Sequence, residues 1–252
     1  MRPIYISLMA LMFATSVFAA NSPALVSSKE RYIRCIALAE RDPRTGYDQA
    51  KAWRDGGAAA SHCEAIALVS LGHYSEAAGI LANLARNGAT GDAAMRAQLF
   101  DQAGNAWLLA EQPGNALPLF TAALALAPHQ ADMLADRARA RAMHKDWPGA
   151  DVDLTTAIGI DSERADLYVL RASARHAEGM KAEARSDIDH ALAIYPNYAE
   201  ALVERGTLKL ESGDTAGARA DWETVLKSSD SDAVHAARDR LSEVGATPPA
   251  AH

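Results

Sequence analysis

The stretch Ala97–Gln130, AQLFDQAGNAWLLAEQPGNALPLFTAALALAPHQ, decides the fold. Phe100, Ala103, Gly104 and Trp107 fall at helical spacing. After a break at Pro113-Gly114, Ala116, Phe120, Ala123 and Leu124 resume the same periodicity until Pro128 ends it. The pattern recurs downstream. Ala116, Ala150, Ala184 and Ala218 are each 34 residues apart, and so are Gly104, Ala138, Ala172 and Gly206, the small residues that let two helices of a hairpin approach. Large residues keep the same register, with Phe100, Leu134, Tyr168 and Leu202 in the first helices and Phe120, Leu154, Ile188 and Trp222 in the second. The terminating proline survives at Pro128 and Pro196 and is replaced by Ser162 and Asp230, which also suit a turn. A unit of this size cannot bury its apolar face alone, so such units stack.

The order of large, small-glycine and aromatic residues, followed by alanine, aromatic, alanine and proline, resembles the tetratricopeptide-repeat family. The resemblance implies an all-α fold: a right-handed superhelical solenoid of helix hairpins, whose first helices line a concave groove that binds a peptide or a helix of another protein. Four repeats, 97–130, 131–164, 165–198 and 199–232, lie in a block covering 92–232.

Residues 29–91 read as two divergent hairpins. In the first, Tyr32, Ile33, Ile36, Ala37 and Ala39 mark a helix that stops at Asp42-Pro43, and Tyr47, Ala50 and Trp53 mark a second, from about Thr45, that ends at Asp55-Gly56-Gly57. Ala65, Leu68, Gly72, Tyr74, Ala77, Leu81 and Leu84 carry the next. The segment NGATGD (87–92) lengthens the following connection, since Ala77 to Ala116 is 39 residues rather than 34. Residues 233–244, AVHAARDRLSEV, read as a capping helix over the last repeat, and 245–252 as a disordered tail.

The first residues, MRPIYISLMALMFATSVFAA, hold one basic residue and an apolar run from Ile4 to Phe18, with small residues at Val17 and Ala19. This predicts a signal peptide over 1–19 cleaved after Ala19, a polar lead over 20–28, and an exported, periplasmic protein of bacterial type. An uncleaved anchor is the competing reading, but the run is short for a span of about 20 residues. No second stretch reaches that length. The net charge of -7 leaves no basic stripe for nucleic acid and favours neutral or basic protein partners over acidic ones.

With the groove on the first helices, its solvent-facing residues are expected at Gln98, Asp101, Asn105, Leu108 and Leu109, then Asp132, Arg139 and Met143. The next hairpins add Asp166, Val169, Ser173 and His176, then Glu200, Val203, Thr207, Leu210 and Glu211. The acids Asp132, Asp166 and Glu200 read equally as a binding lip or as the preference of acids for a helix's first turn. One subgroup of the family clamps a C-terminal carboxylate with lysine and asparagine. Here Asn105 is present, but Asp101 and Ala135 stand where the lysines belong, which argues against that specificity.

Arg137, Arg171 and Arg205 form a row matched, sixteen residues on, by Asp153, Asp187 and Asp221. Constant pairing favours an internal ion-pair ladder over an arginine row that grips an anionic ligand. Cys35 and Cys63 lie in the first helices of the first two hairpins, 28 residues apart against a local repeat of 27. Neighbouring first helices would bring the thiols together in a disulfide. The alternative, a catalytic thiol served by His62, is disfavoured because adjacent helical residues point apart. No two of the eight histidines share metal-binding i, i+4 spacing, and all are expected at the surface. Phosphate-loop, nucleophile-elbow and zinc-protease motifs are absent, so no cofactor is implied and no enzyme is expected. The reading is a non-catalytic interaction scaffold, with a chaperone-like holdase for exported polypeptides as the alternative. Oligomeric state is open.

Overall fold

The computed structural model describes residues 23–87 and 91–246. The expected signal peptide, the first residues of the polar lead, the centre of the NGATGD connection and residues 247–252 of the expected tail lie outside them. The described residues form thirteen α-helices and no strand. They fall into two compact units, residues 3–140 and 141–252.

The first unit holds α1 (Pro23–Arg41), α2 (Pro43–Ala52), α3 (Gly57–Ser70), α4 (Tyr74–Arg86), α5 (Ala93–Leu109), α6 (Pro113–Leu126) and most of α7 (Ala131–Met143). Consecutive helices from α1 to α6 pack on one another, and α1 also packs on α3. α1 begins at Pro23, so part of the expected polar lead is helical. α2 begins at Pro43 rather than near Thr45, because Asp42 caps the Thr45 N–H at 3.3 Å and a proline in the first turn has no N–H to leave unpaired. Cys35 of α1 and Cys63 of α3 are fully buried and joined in a disulfide with a Cα–Cα distance of 5.9 Å.

The second unit holds the end of α7, then α8 (Trp147–Ile160), α9 (Ala165–Ala177), α10 (Lys181–Ile194), α11 (Ala199–Glu211), α12 (Thr215–Val225) and α13 (Ser231–Ala246). Its core is one cluster that includes Tyr168, Ala172, Ile188, Leu202 and Trp222, closed by Val234 and Ala237 of α13. The last helix therefore covers an apolar face, and it extends beyond the expected 233–244 at both ends.

The small residues of the first helices match their partners in size. A Cβ on Gly104 would lie 2.7 Å from the Phe120 ring, and one on Gly206 would lie 2.3 Å from Trp222 Nε1. Both rings are fully buried. Where the second helix offers the smaller Ile188, the first carries Ala172. The hairpin turns need a left-handed residue, supplied by Gly179 and Gly213 in two of them but by Glu111 (φ 57°) and Lys145 (φ 64°) in two others.

Candidate functional site

On α5, Asp101 and Asn105 are one helical turn apart and face α7. The Asn105 amide sits between two carboxylates, Nδ2 donating to Asp136 Oδ2 at 3.0 Å and lying 3.3 Å from Asp101 Oδ2. Arg139, one turn beyond Asp136 on α7, donates to Asp136 Oδ1. Asp132, one turn before it, is exposed. Asn105 and Asp136 are buried, yet Asp101 Oδ1 and Asn105 Oδ1 are shielded from water and accept no hydrogen bond. Burial pushes the Asp101 carboxyl well above the ordinary carboxylate range, and Asp136 and Asp132 push it further, against the opposing effect of Arg139. Asp136 is raised too, by burial, although Arg139 and Asn105 counter it.

A second buried polar chain runs across α1, α3 and α5. Tyr32 Oη lies 2.7 Å from His62 Nδ1, and His62 Nε2 lies 2.9 Å from Gln102 Oε1. Because the glutamine oxygen can only accept, Nε2 carries the proton and Nδ1 accepts from the tyrosine hydroxyl. Burial lowers the His62 pKa and so keeps the ring neutral, and it pushes Tyr32 up to about 12. His62 is thus an interior link between hairpins rather than the surface residue the sequence suggested. A polar residue inside an alanine-rich helix is tolerated because both ring nitrogens are satisfied.

In the second unit the acids are paired. Arg171 and Arg205 hold Asp187 and Asp221, and the row has a companion that the sequence reading missed. Arg141, Arg175 and Lys209, also 34 apart, contact Asp153, Asp187 and Asp221 at 2.9, 2.8 and 2.8 Å. Each of these carboxylates is buried. Arg137 and Asp153 fall in different units. His176 lies between Glu204 at 2.8 Å and Glu211 at 2.9 Å, with Lys181 on Glu211 at 2.6 Å. Burial opposes charging of His176, but the hydrogen bonds its ring donates to the two glutamates raise its pKa overall.

The residues expected in the groove therefore differ in state. Asn105 and Leu108 are buried at 4% exposure each, a correction to their expected solvent-facing placement: Asn105 is enclosed by its carboxylates, and Leu108 packs with Phe120 and Ala140. Gln98, Leu109, Asp101 and Arg139 are part-covered, and Asp132 is exposed. In the second unit, Met143 and Ser173 are exposed, and Glu200 is part-covered. Asp166 is held by Arg164 through two bonds of 3.1 and 2.8 Å, and the Thr207 hydroxyl is taken up by Val203 O of its own helix. Among the described residues no cluster of metal-ligating side chains occurs.

Solved structures resemble this arrangement. TTC0263, a thermophilic tetratricopeptide-repeat protein of Thermus thermophilus, aligns at TM-score 0.59 and 16% identity over 73% of this chain and 96% of its own. The fold is that of a tetratricopeptide-repeat protein. MamA aligns at TM-score 0.56 and 14% identity over 71% of this chain and 96% of its own. YrrB, described as a tetratricopeptide-repeat protein with an unusual peptide-binding site, aligns at 0.54 and 16% over 78% and 97%. No protein-family model and no curated protein matches the chain. At these identities the likeness speaks for the tetratricopeptide-repeat fold alone. No described helix is long and apolar enough to cross a membrane.

Proposed function

We propose that this chain is a non-catalytic scaffold that holds a peptide or helix of another protein against the first helices of its hairpins, in the bacterial cell envelope. The observation that carries the reading is the fold, a stack of helix hairpins of the tetratricopeptide-repeat kind with no strand among the described residues. Its first helices keep exposed residues on which a segment can lie, Asp132 and Met143 of α7 and Ser173 of α9 among them. YrrB, with the same fold, is described as having a peptide-binding site. Export is supported by the apolar leader over 1–19 and by the buried Cys35–Cys63 disulfide, a bond that persists in oxidising compartments. The net charge of -7 favours a neutral or basic partner.

In-cell photo-crosslinking tests the reading. A crosslinker placed at Asp132 or Met143 on α7 should capture one or two partners in stoichiometric amounts, and one at the exposed Val152 of α8 should not. Equal capture from Val152 would show that the first helices are not the binding face.

A further inference from the structure

We infer that the Cys35–Cys63 bond works as a self-shielding latch on the first hairpin: closing it docks α1 and α2 on α3, and docking then hides the bond from reductants. The inference stands apart from the peptide-binding reading, because it needs no partner.

The first hairpin has little else to hold it. Along its length α2 buries Gly46 and Ala50, whereas α4 buries six residues, Leu81 and Leu84 among them, and α6 buries Phe120 with Leu119 and Leu124. The buried cluster around the two sulfurs is otherwise Ala39, Ala50, Ile66 and Ala67, so Ile66 is its one large buried member. Tyr32 and Trp53 pack with Ala60 in a second small cluster. α1 and α2 pack on each other and on α3, and among the described helices no further one makes comparable contact with them. A helix pair with so little buried apolar surface, held from one side, belongs to the low-stability end of a fold and opens separately from the rest. The bond spans 28 residues from α1 to α3, so it removes most of the freedom that the opened hairpin would gain.

Both sulfurs are fully buried, so a reductant meets them only when the hairpin lifts away. In the exchange itself, a thiolate of a dithiol bonds to one sulfur as the Cys35–Cys63 bond breaks, and the other sulfur leaves as a thiolate that takes up a proton. The dithiol's second thiolate then displaces the first sulfur, so the chain gains two electrons and two protons and the reagent becomes a disulfide. Closing the latch is the reverse, with a disulfide as oxidant. A chain in a thiol-rich compartment therefore carries a loosely held first hairpin, and an oxidised chain keeps it docked even where reductant returns.

Hydrogen exchange read by mass spectrometry on the full chain tests the latch. Three forms are compared: oxidised, reduced by unfolding and refolding with dithiothreitol, and the Cys35→Ala/Cys63→Ala variant, which cannot close the bond. Amides of α1 and α2 should exchange at least tenfold faster in the last two forms, with α4 and α10 to α12 unchanged within about threefold. Unchanged exchange in α1 and α2, or an equal acceleration through α4 and α10 to α12, overturns the latch.

The shielding is read from the rate at which dithiothreitol frees the thiols of the oxidised chain, trapped with iodoacetamide and weighed. Reduction should be at least a hundredfold slower in buffer than in concentrated urea. Gly46→Ala loosens the hairpin without touching a sulfur, because its methyl would lie 2.5 Å from Ala39 Cα where α2 meets α1, and it should speed reduction at least tenfold. Reduction as fast in buffer as in urea, or a rate that Gly46→Ala leaves unchanged, overturns the inference.

Discussion

Arg171 grips Asp187 through two parallel hydrogen bonds, Nε to Oδ2 at 3.0 Å and Nη2 to Oδ1 at 2.7 Å, and Arg205 holds Asp221 in the same way one repeat later. Arg175 adds a third bond to Asp187 and reaches back to Asp151 of α8 at 2.6 Å, while Arg171 also reaches Thr155. The ladder thus fastens each second helix to the first helix of its own hairpin and also ties one hairpin to the previous one.

Removing the acid takes away the carboxylate that two arginines share. Asp187→Ala leaves Arg175 with Asp151 alone and Arg171 without its bidentate partner, at a position where Asp187 is 5% exposed, and should cost roughly 3 kcal/mol in urea unfolding. The exposed Asp189→Asn on the same helix should stay within about 0.5 kcal/mol. A loss under about 1 kcal/mol for Asp187→Ala would mean the ladder behaves as an exposed ion pair.

The hairpins were legible because small and large residues hold a strict register. Gly104 with Phe120 and Gly206 with Trp222 show in the sequence as glycine wherever the second helix carries an aromatic ring. The row of Arg137, Arg171 and Arg205 was readable for the same reason, and so was its companion of Arg141, Arg175 and Lys209, which carries the same period but had no acid at a spacing already in view. His62 and Asp136 were harder. His62 to Gln102 is 40 residues against a local repeat of 39, but burial of a histidine depends on both its nitrogens finding partners, and those come from α1 and α5. Asp136 returns as Glu204 two repeats on but as Leu170 between them, so the period does not mark it, and only the folded chain brings it to Asn105.

Glycines in the helices should separate by what surrounds them. Gly206→Ala drives a methyl into the buried Trp222 and should destabilise by about 1–3 kcal/mol. Gly79→Ala in α4 and Gly159→Ala in α8 meet nothing within 4 Å and should each stabilise by about 0.5–1 kcal/mol through helix propensity. At the turn, Lys145→Gly relieves a left-handed lysine at φ 64° and should stabilise by about 1 kcal/mol. Denaturant midpoints at constant slope read all four; a neutral Gly206→Ala would mean that Trp222 yields.

His176 gives the second unit a pH dependence. Glu204 and Glu211 raise its folded pKa above the unfolded value of about 6.5, so protonation stabilises the fold. The contribution is fully present below pH ~6.5 and is lost as pH rises through the raised folded value. His176→Gln, compared with the unaltered chain in thermal melts across pH, should show its largest deficit in mildly acidic buffer and converge at alkaline pH. A deficit that does not change with pH would indicate that the ring acts by packing alone.

Asp101 has the opposite consequence, because its carboxyl is raised rather than depressed. Burial, Asp136 and Asp132 hold its folded pKa above the unfolded value, with Arg139 opposing, so the folded chain binds a proton that the unfolded chain releases. Asp101 therefore opposes folding most above its folded pKa, and the opposition is relieved as pH falls from there toward ~4, where the group is protonated in both states. Asp101→Asn removes the charge while keeping the shape. It should raise the melting temperature at pH 7, and its advantage over the unaltered chain should shrink steadily as the buffer is made more acidic. A variant less stable than the unaltered chain at pH 7 would mean that ionised Asp101 contributes to the fold, and that its unpaired oxygen is not held at a cost.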